Sequence, residues 1–132
     1  MRPHSIAQIA AYAADGAQEF DPAVREFLDQ WQLMSRDQRC AALEAEPQRL
    51  GRVKDAYLAA VAEHLALSGR LPVPGWTEQA DRFLSEPFFA GGLESLKAIL
   101  LVESPLAFRR RLIFISADGL SRPSRQFVED TV

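Results

Sequence analysis

The chain has 132 residues, 48% hydrophobic and 25% charged, a balance that suits one folded domain and excludes global disorder. One cysteine, Cys40, excludes an intrachain disulfide and a thiolate metal cluster, and the longest apolar run, 98–102, is far shorter than the roughly 18 residues of a spanning helix. The formal net charge of −3 is divided unevenly, with −5 over residues 1–103 and +2 over 104–132, which excludes a uniformly basic nucleic-acid binder.

Apolar residues recur at spacings of three and four, the helical period. Arg2 precedes a modest apolar stretch, but Gln8, Asp15 and Glu19 make it a poor secretory signal, so a cytoplasmic protein is expected. Ile6, Ile9, Ala10 and Ala13 predict a first helix ending near Gly16. Asp21-Pro22 is a helix start, followed by Val24, Phe27, Leu28 and Trp31 on one face. Ser35 to Gln38 reads as a capping box for a short helix running to about Glu46, where Pro47 stops it. Leu50, Val53, Tyr57, Val61 and Leu65 form the longest stripe, and Gly69 stands where a left-handed cap belongs.

Two prolines and a glycine make 71–76 an extended connector that ends on an apolar anchor, Trp76. Thr77 is expected to cap a helix carrying Phe83 and Leu84 that Pro87 closes, and 88–92 is expected to be a turn with two aromatics, Phe88 and Phe89. Leu93, Leu96, Ile99, Leu100 and Val102 predict a nearly all-round apolar helix. Ser104-Pro105 repeats the cap-then-proline device ahead of Leu106 and Phe108. The period then changes: Leu112, Ile113, Phe114 and Ile115 read as a short strand. Such a strand must pair within the chain, with a second copy, or with another protein. Residues 123–132 read as a tail. The expected fold is mostly α: a single domain of five or six helices with a short C-terminal extended segment. Its parts are N-terminal helices over about 1–70, a connector over 71–77, and C-terminal helices plus the extended segment over 78–122.

Five arginines lie beyond residue 103, three of them consecutive: Arg109, Arg110 and Arg111. On a helix these point in three directions, and in an extended segment two share a face. They either close a helix C-terminus and pair with the surplus acids of the body, or form the rim of a protein or anion contact, or bind nucleic acid. Cys40 reads as a small hydrophobe on a helix. His64 has Ala60 and Ser68 a turn away, so no metal pair forms there, and His4 has no visible partner. Glu44, Glu46, Asp81, Glu86, Glu94 and Glu103 offer carboxylates whose pairing is not visible in sequence, and most are expected on solvated faces. Gly91-Gly92 reads as a turn, with an anion-binding loop as the alternative. No nucleophile elbow or phosphate-binding loop is present, so no catalytic, metal or cofactor residue is assigned.

The stretch 75–123 carries an anchor tryptophan (Trp76), an EPFF turn (Glu86 to Phe89) and the run ESPLAFRRRLIFISADGLSR (Glu103 to Arg122). In this it resembles a family of small bacterial helical proteins. The resemblance implies an antitoxin-like or regulatory partner protein and implies no catalytic residue. A non-enzymatic interaction module is therefore expected, its partner another protein or a second copy, with no membrane. Leu112 to Ile115 would be a docking strand, Arg109 to Arg111 its rim, and Trp76, Phe88 and Phe89 anchors. The alternatives are a nucleic-acid-binding regulator using the arginines and a small enzyme or ligand binder with a pocket between helices.

Overall fold

A computed structural model of the chain describes residues 2–89 and 104–115. Those residues are mostly helical, with one small two-stranded parallel sheet. Helix α1 (Ile6–Asp15) starts where the Ser5 hydroxyl accepts from the amide of Gln8, and ends at Gly16 with φ 81°. Helix α2 (Phe20–Trp31) starts one residue before Asp21-Pro22, because Glu19 takes the cap position. Helix α3 (Arg36–Glu44) begins with the capping box expected from Ser35 and Gln38. Helix α4 (Arg52–Ser68) is the longest, at 17 residues.

Helix α4 is the centre of the core. It packs against α3, the connector turns and the C-terminal helix, while α1 pairs with α2 and α3. Ala56, Ala59, Ala60, Ala62 and Ala66 are all fully buried along it. Small side chains let neighbouring backbones approach α4 closely, and Leu58 and Val61, also fully buried, supply the apolar volume. Its end differs from expectation by one residue. Gly69 has φ −94°, and Arg70 takes the left-handed conformation with φ 57°. The Leu71 amide donates to the Ala66 carbonyl at 2.8 Å and the Arg70 amide to Leu67 at 3.3 Å, which is a Schellman closure. The Arg36 guanidinium covers the carbonyls beyond it, at 3.1 Å from that of Arg70.

The helix expected after Thr77 is replaced by two 3-10 turns, Gly75–Glu78 and Ala80–Arg82. The Thr77 hydroxyl donates backwards to the Pro74 carbonyl at 2.7 Å instead of capping a helix. Strand β1 (Phe88–Phe89) follows. Ser104-Pro105 leads into a one-turn helix, α5 (Leu106–Arg109), but Ser104 does not cap it. Its hydroxyl instead accepts from the Ile115 amide and donates to the Ile115 carbonyl, both at 2.7 Å. Strand β2 (Ile113–Phe114) pairs in parallel with β1, Phe88 opposite Ile113 and Phe89 opposite Phe114. The extended segment thus finds its ladder inside the chain. The apolar helix expected over 93–102, the Gly91-Gly92 turn, Glu94, Glu103 and the tail over 123–132 lie outside the described residues.

The cap at Ser35 is local and exposed, so its contribution separates cleanly from packing. Ser35→Ala is expected to lower unfolding free energy by about 1 kcal/mol, read as a lower urea midpoint with an unchanged slope.

Candidate functional site

The arginine triplet divides unequally, and two of its members converge. Helix α5 is too short to carry all three on one turn. The chain leaves it through Arg110, and Leu112 then adopts φ 63°. A left-handed residue that is not glycine is uncommon. Here it redirects the chain from α5 into β2. Just before it, Arg110 and Arg111 face the same carboxylate, Glu63 of α4. Arg111 Nη1 donates to Glu63 Oε1, and Arg110 Nη1 donates to Glu63 Oε2. Arg109 stays exposed.

Arg111 is fully buried and Glu63 is 5% exposed. Burying a charge is costly unless other hydrogen bonds satisfy it. Arg111 Nη1 also donates to the Ala107 carbonyl at 2.8 Å, and Nη2 donates to the Thr77 carbonyl at 2.7 Å. Its Nε finds no partner among the described residues. The Phe83 ring lies 4.4 Å from its guanidinium and 5.5 Å from that of Arg110, where the ring quadrupole favours a cation. Glu78, half exposed, closes the cluster on the solvent side and accepts from Arg110 Nη2 at 2.9 Å. The Arg110 hydrogen bond, and after it the charges of Arg110 and Arg111, holds the Glu78 carboxyl below its ordinary value of 4.5, against a smaller upward push from burial.

A second buried guanidinium stands nearby. Arg82 is fully buried and donates to the Pro47 carbonyl at 2.7 Å and the Asp55 carbonyl at 3.3 Å. It lies 4.9 Å from the Trp76 ring, and burial lowers its pKa. Trp76 is itself 8% exposed, and its indole N–H donates to the Leu43 carbonyl at 2.9 Å. Outside this pair of sites, Arg49 bridges Glu46 and Asp81, both at 2.8 Å. The Arg49 hydrogen bonds lower both carboxyls.

The residues expected to form a docking face therefore separate. Trp76, Arg111, Ile113, Phe114 and Ile115 are buried, and Leu112 is half-buried. The Leu112–Ile115 strand is closed by β1 and Ser104 rather than offered for pairing, which corrects the expectation of a docking strand with an arginine rim. Phe89 is half-buried and stacks on Phe114 at 5.1 Å between centroids. Phe88 is 39% exposed, although its amide is fixed by the Leu112 carbonyl at 2.8 Å. Its ring forms one wall of a hollow of about 200 Å³ lined also by Arg52, Val53, Leu84, Glu86 and Pro87. Cys40 and Glu44 line a larger groove of about 500 Å³ with Trp76 and the connector prolines. His64 is partly buried edge-on to Phe108, and burial lowers its pKa. His4 is exposed at the mouth of a third hollow with Met34 and Gln38. Among the described residues no three His, Cys, Asp or Glu side chains group as a metal site, and no described helix is long and apolar enough to cross a membrane.

Glu63 and Glu78 were not singled out by sequence, and Thr77 and Phe83 stood out only as a helix cap and as one of a group of aromatics. The available signal was the position of Glu63: it shares one face of α4 with Ala56, Ala59 and Ala66, a carboxylate set in a small apolar stripe. No family model, curated protein or solved structure matches the chain.

Removing the carboxylate strands two guanidinium groups. Glu63→Ala is expected to destabilise the fold by about 3–5 kcal/mol, measured by urea unfolding at neutral pH. The lowered carboxyls of Glu46, Glu78 and Asp81 fix the sign of the acid response. Their folded pKa values lie below the unfolded ones. Their contribution is therefore complete above the ordinary carboxyl values and is lost as pH falls through the depressed ones. Thermal midpoints are expected to hold from neutrality to about pH 5 and then fall, and Glu78→Gln is expected to flatten that fall.

Proposed function

We propose that the chain is a non-enzymatic protein-interaction module whose contact surface centres on Phe88. One observation carries this reading: a large aromatic ring is 39% exposed while its backbone is hydrogen-bonded into the sheet. An aromatic held in place loses little conformational freedom on binding, and aromatic anchors contribute disproportionately to interface energy. The hollow beside it gives a partner an apolar floor of Val53, Leu84 and Pro87. Arg52 and Glu86 at its margin supply charges of both signs, the usual means of fixing orientation.

The ionisable groups that the fold brings together favour this reading over catalysis. Glu63, Glu78, Arg110 and Arg111 are engaged with one another and with carbonyls, so their charges hold the chain together. Arg110 and Arg111 are likewise turned inward onto carboxylates, which weakens the reading of the triplet as a phosphate grip. The partner is another protein or a second copy of the chain. An antitoxin-like or regulatory role is the finer form that the sequence resemblance favours.

The test is site-specific crosslinking in cells. A photoreactive phenylalanine analogue at position 88 is expected to give a discrete protein adduct, identified by mass, that the same analogue at exposed Arg25 does not give. Identical adduct patterns from the two positions, or none from either, would overturn the assignment.

A further inference from the structure

We propose that Glu63 is the key of a conformational latch that docks Ser104–Ile115 onto α4 as a single unit, able to open while α1–α3 stay folded. This goes beyond the interaction surface and holds whatever Phe88 contacts. The segment is clasped end to end by its own hydrogen bonds, since the Ser104 hydroxyl bonds both the amide and the carbonyl of Ile115. Between those ends, α5, the left-handed Leu112 and β2 form one compact limb. Its ionic attachments converge on two carboxylates. Glu63 takes both Arg110 and Arg111, and Glu78 takes Arg110 at 2.9 and 3.3 Å, with Arg111 at 3.8 Å.

Apolar contacts hold the limb beside the ionic ones. Phe108 meets Tyr57 edge-on at 5.3 Å and His64 at 6.3 Å, and Phe114 stacks on Phe89. A slip of one residue would bring Ala107 or Arg109 to the place of Phe108 beside those rings, so the apolar contacts also disfavour it. In one direction it would set Leu112 in the place of Arg111 against Glu63, and in the other it would move Arg111 away from the acceptors that satisfy its buried charge. Polar groups inside an apolar contact are well suited to specifying one arrangement among several of similar burial. The limb is also where opening would have consequences, because Phe88 is held by the Leu112 carbonyl and, among the described residues, β1 takes its ladder partner from the limb.

Native-state hydrogen exchange on the full chain, resolved by peptide, tests the latch. Glu63→Gln keeps the shape of the side chain and removes its charge. Exchange over 104–115 and at 88–89 is expected to accelerate together by at least on the order of tenfold, with α1–α3 unchanged, as for a cooperative sub-global opening. Where Glu63→Gln does not fold, Glu78→Gln, on the solvent side of the cluster, is expected to give the same limb-restricted pattern at smaller amplitude. Equal acceleration in every element of a folded variant would overturn the proposal and make the cluster a contributor to global stability alone. Unchanged exchange over 104–115 would overturn it as well.

Discussion

The structure depends on a fully buried guanidinium. Arg111 has no contact with water, and a cation taken out of water requires a carboxylate and further acceptors within hydrogen-bond reach. That requirement ties together three parts of the chain distant in sequence: Glu63 on α4, the Thr77 carbonyl in the connector, and Ala107 on α5. The 3-10 turn at Gly75–Glu78 is the consequence on the connector side. An α-helix beginning at Thr77 would commit the Thr77 carbonyl to an intrahelical bond and deprive Arg111 of its third acceptor. On the other side, the left-handed Leu112 turns the chain from α5 into β2 directly after Arg111.

Arg82 applies the same device a short distance away, with backbone carbonyls as its hydrogen-bond acceptors and the Glu46 carboxylate at 3.6 Å. It bonds Pro47 and Asp55, and so fastens the second turn of the connector to the start of α4. Asp55 serves that junction twice, because its carboxylate also accepts from the amides of Leu50 and Gly51 at 2.7 and 3.3 Å. Each buried guanidinium lies near an aromatic ring, Trp76 for Arg82 and Phe83 for Arg111. The connector thus has little regular secondary structure, yet its anchors include the Trp76 indole on Leu43, Arg82 on Pro47 and Asp55, Thr77 on Arg111, and Asp81 on Arg49. Proline keeps 71–74 extended, and these anchors determine where it lies.

What the sequence revealed follows the range of the interaction concerned. The Ser35 capping box, the α4 stripe, the extended connector ending on Trp76 and the change of period at Leu112 are all local patterns, and each appears in the structure. The departures arise where a distant group outcompetes a local one. Ser104 stands in a cap position, but its hydroxyl bonds Ile115, 11 residues on. Thr77 resembles a cap, but its hydroxyl and carbonyl are drawn to Pro74 and Arg111. The left-handed position after α4 falls on Arg70 rather than Gly69, because the 6→1 bond from Leu71 selects the closure one residue later. The triplet was visible as a feature, and so was the option that it pairs with the acids of the body. The convergence of Arg110 and Arg111 was not visible, since neither helical nor extended spacing aims consecutive side chains at one point. It rests on the irregular turn over 110–112 between α5 and β2, which no composition rule announces.

The burial of β2 changes which residues are available for contact. A lone apolar strand suggests a free ladder, and an interaction reading naturally starts there. Once Ile113 and Phe114 are paired with β1 and covered, the same sheet presents its other member instead. Parallel pairing sets Phe88 opposite Ile113. Of these two ring-bearing or branched side chains, the one on the outer member stands toward solvent, while Ile113 is fully buried. The charged latch and the exposed ring are in this sense one arrangement. Docking the limb engages Arg110 and Arg111 and covers the strand, and the ladder places Phe88 beside Val53, Leu84 and Pro87. The Phe88 amide is bonded by the limb that Glu63, a carboxylate on α4, attaches through Arg110 and Arg111.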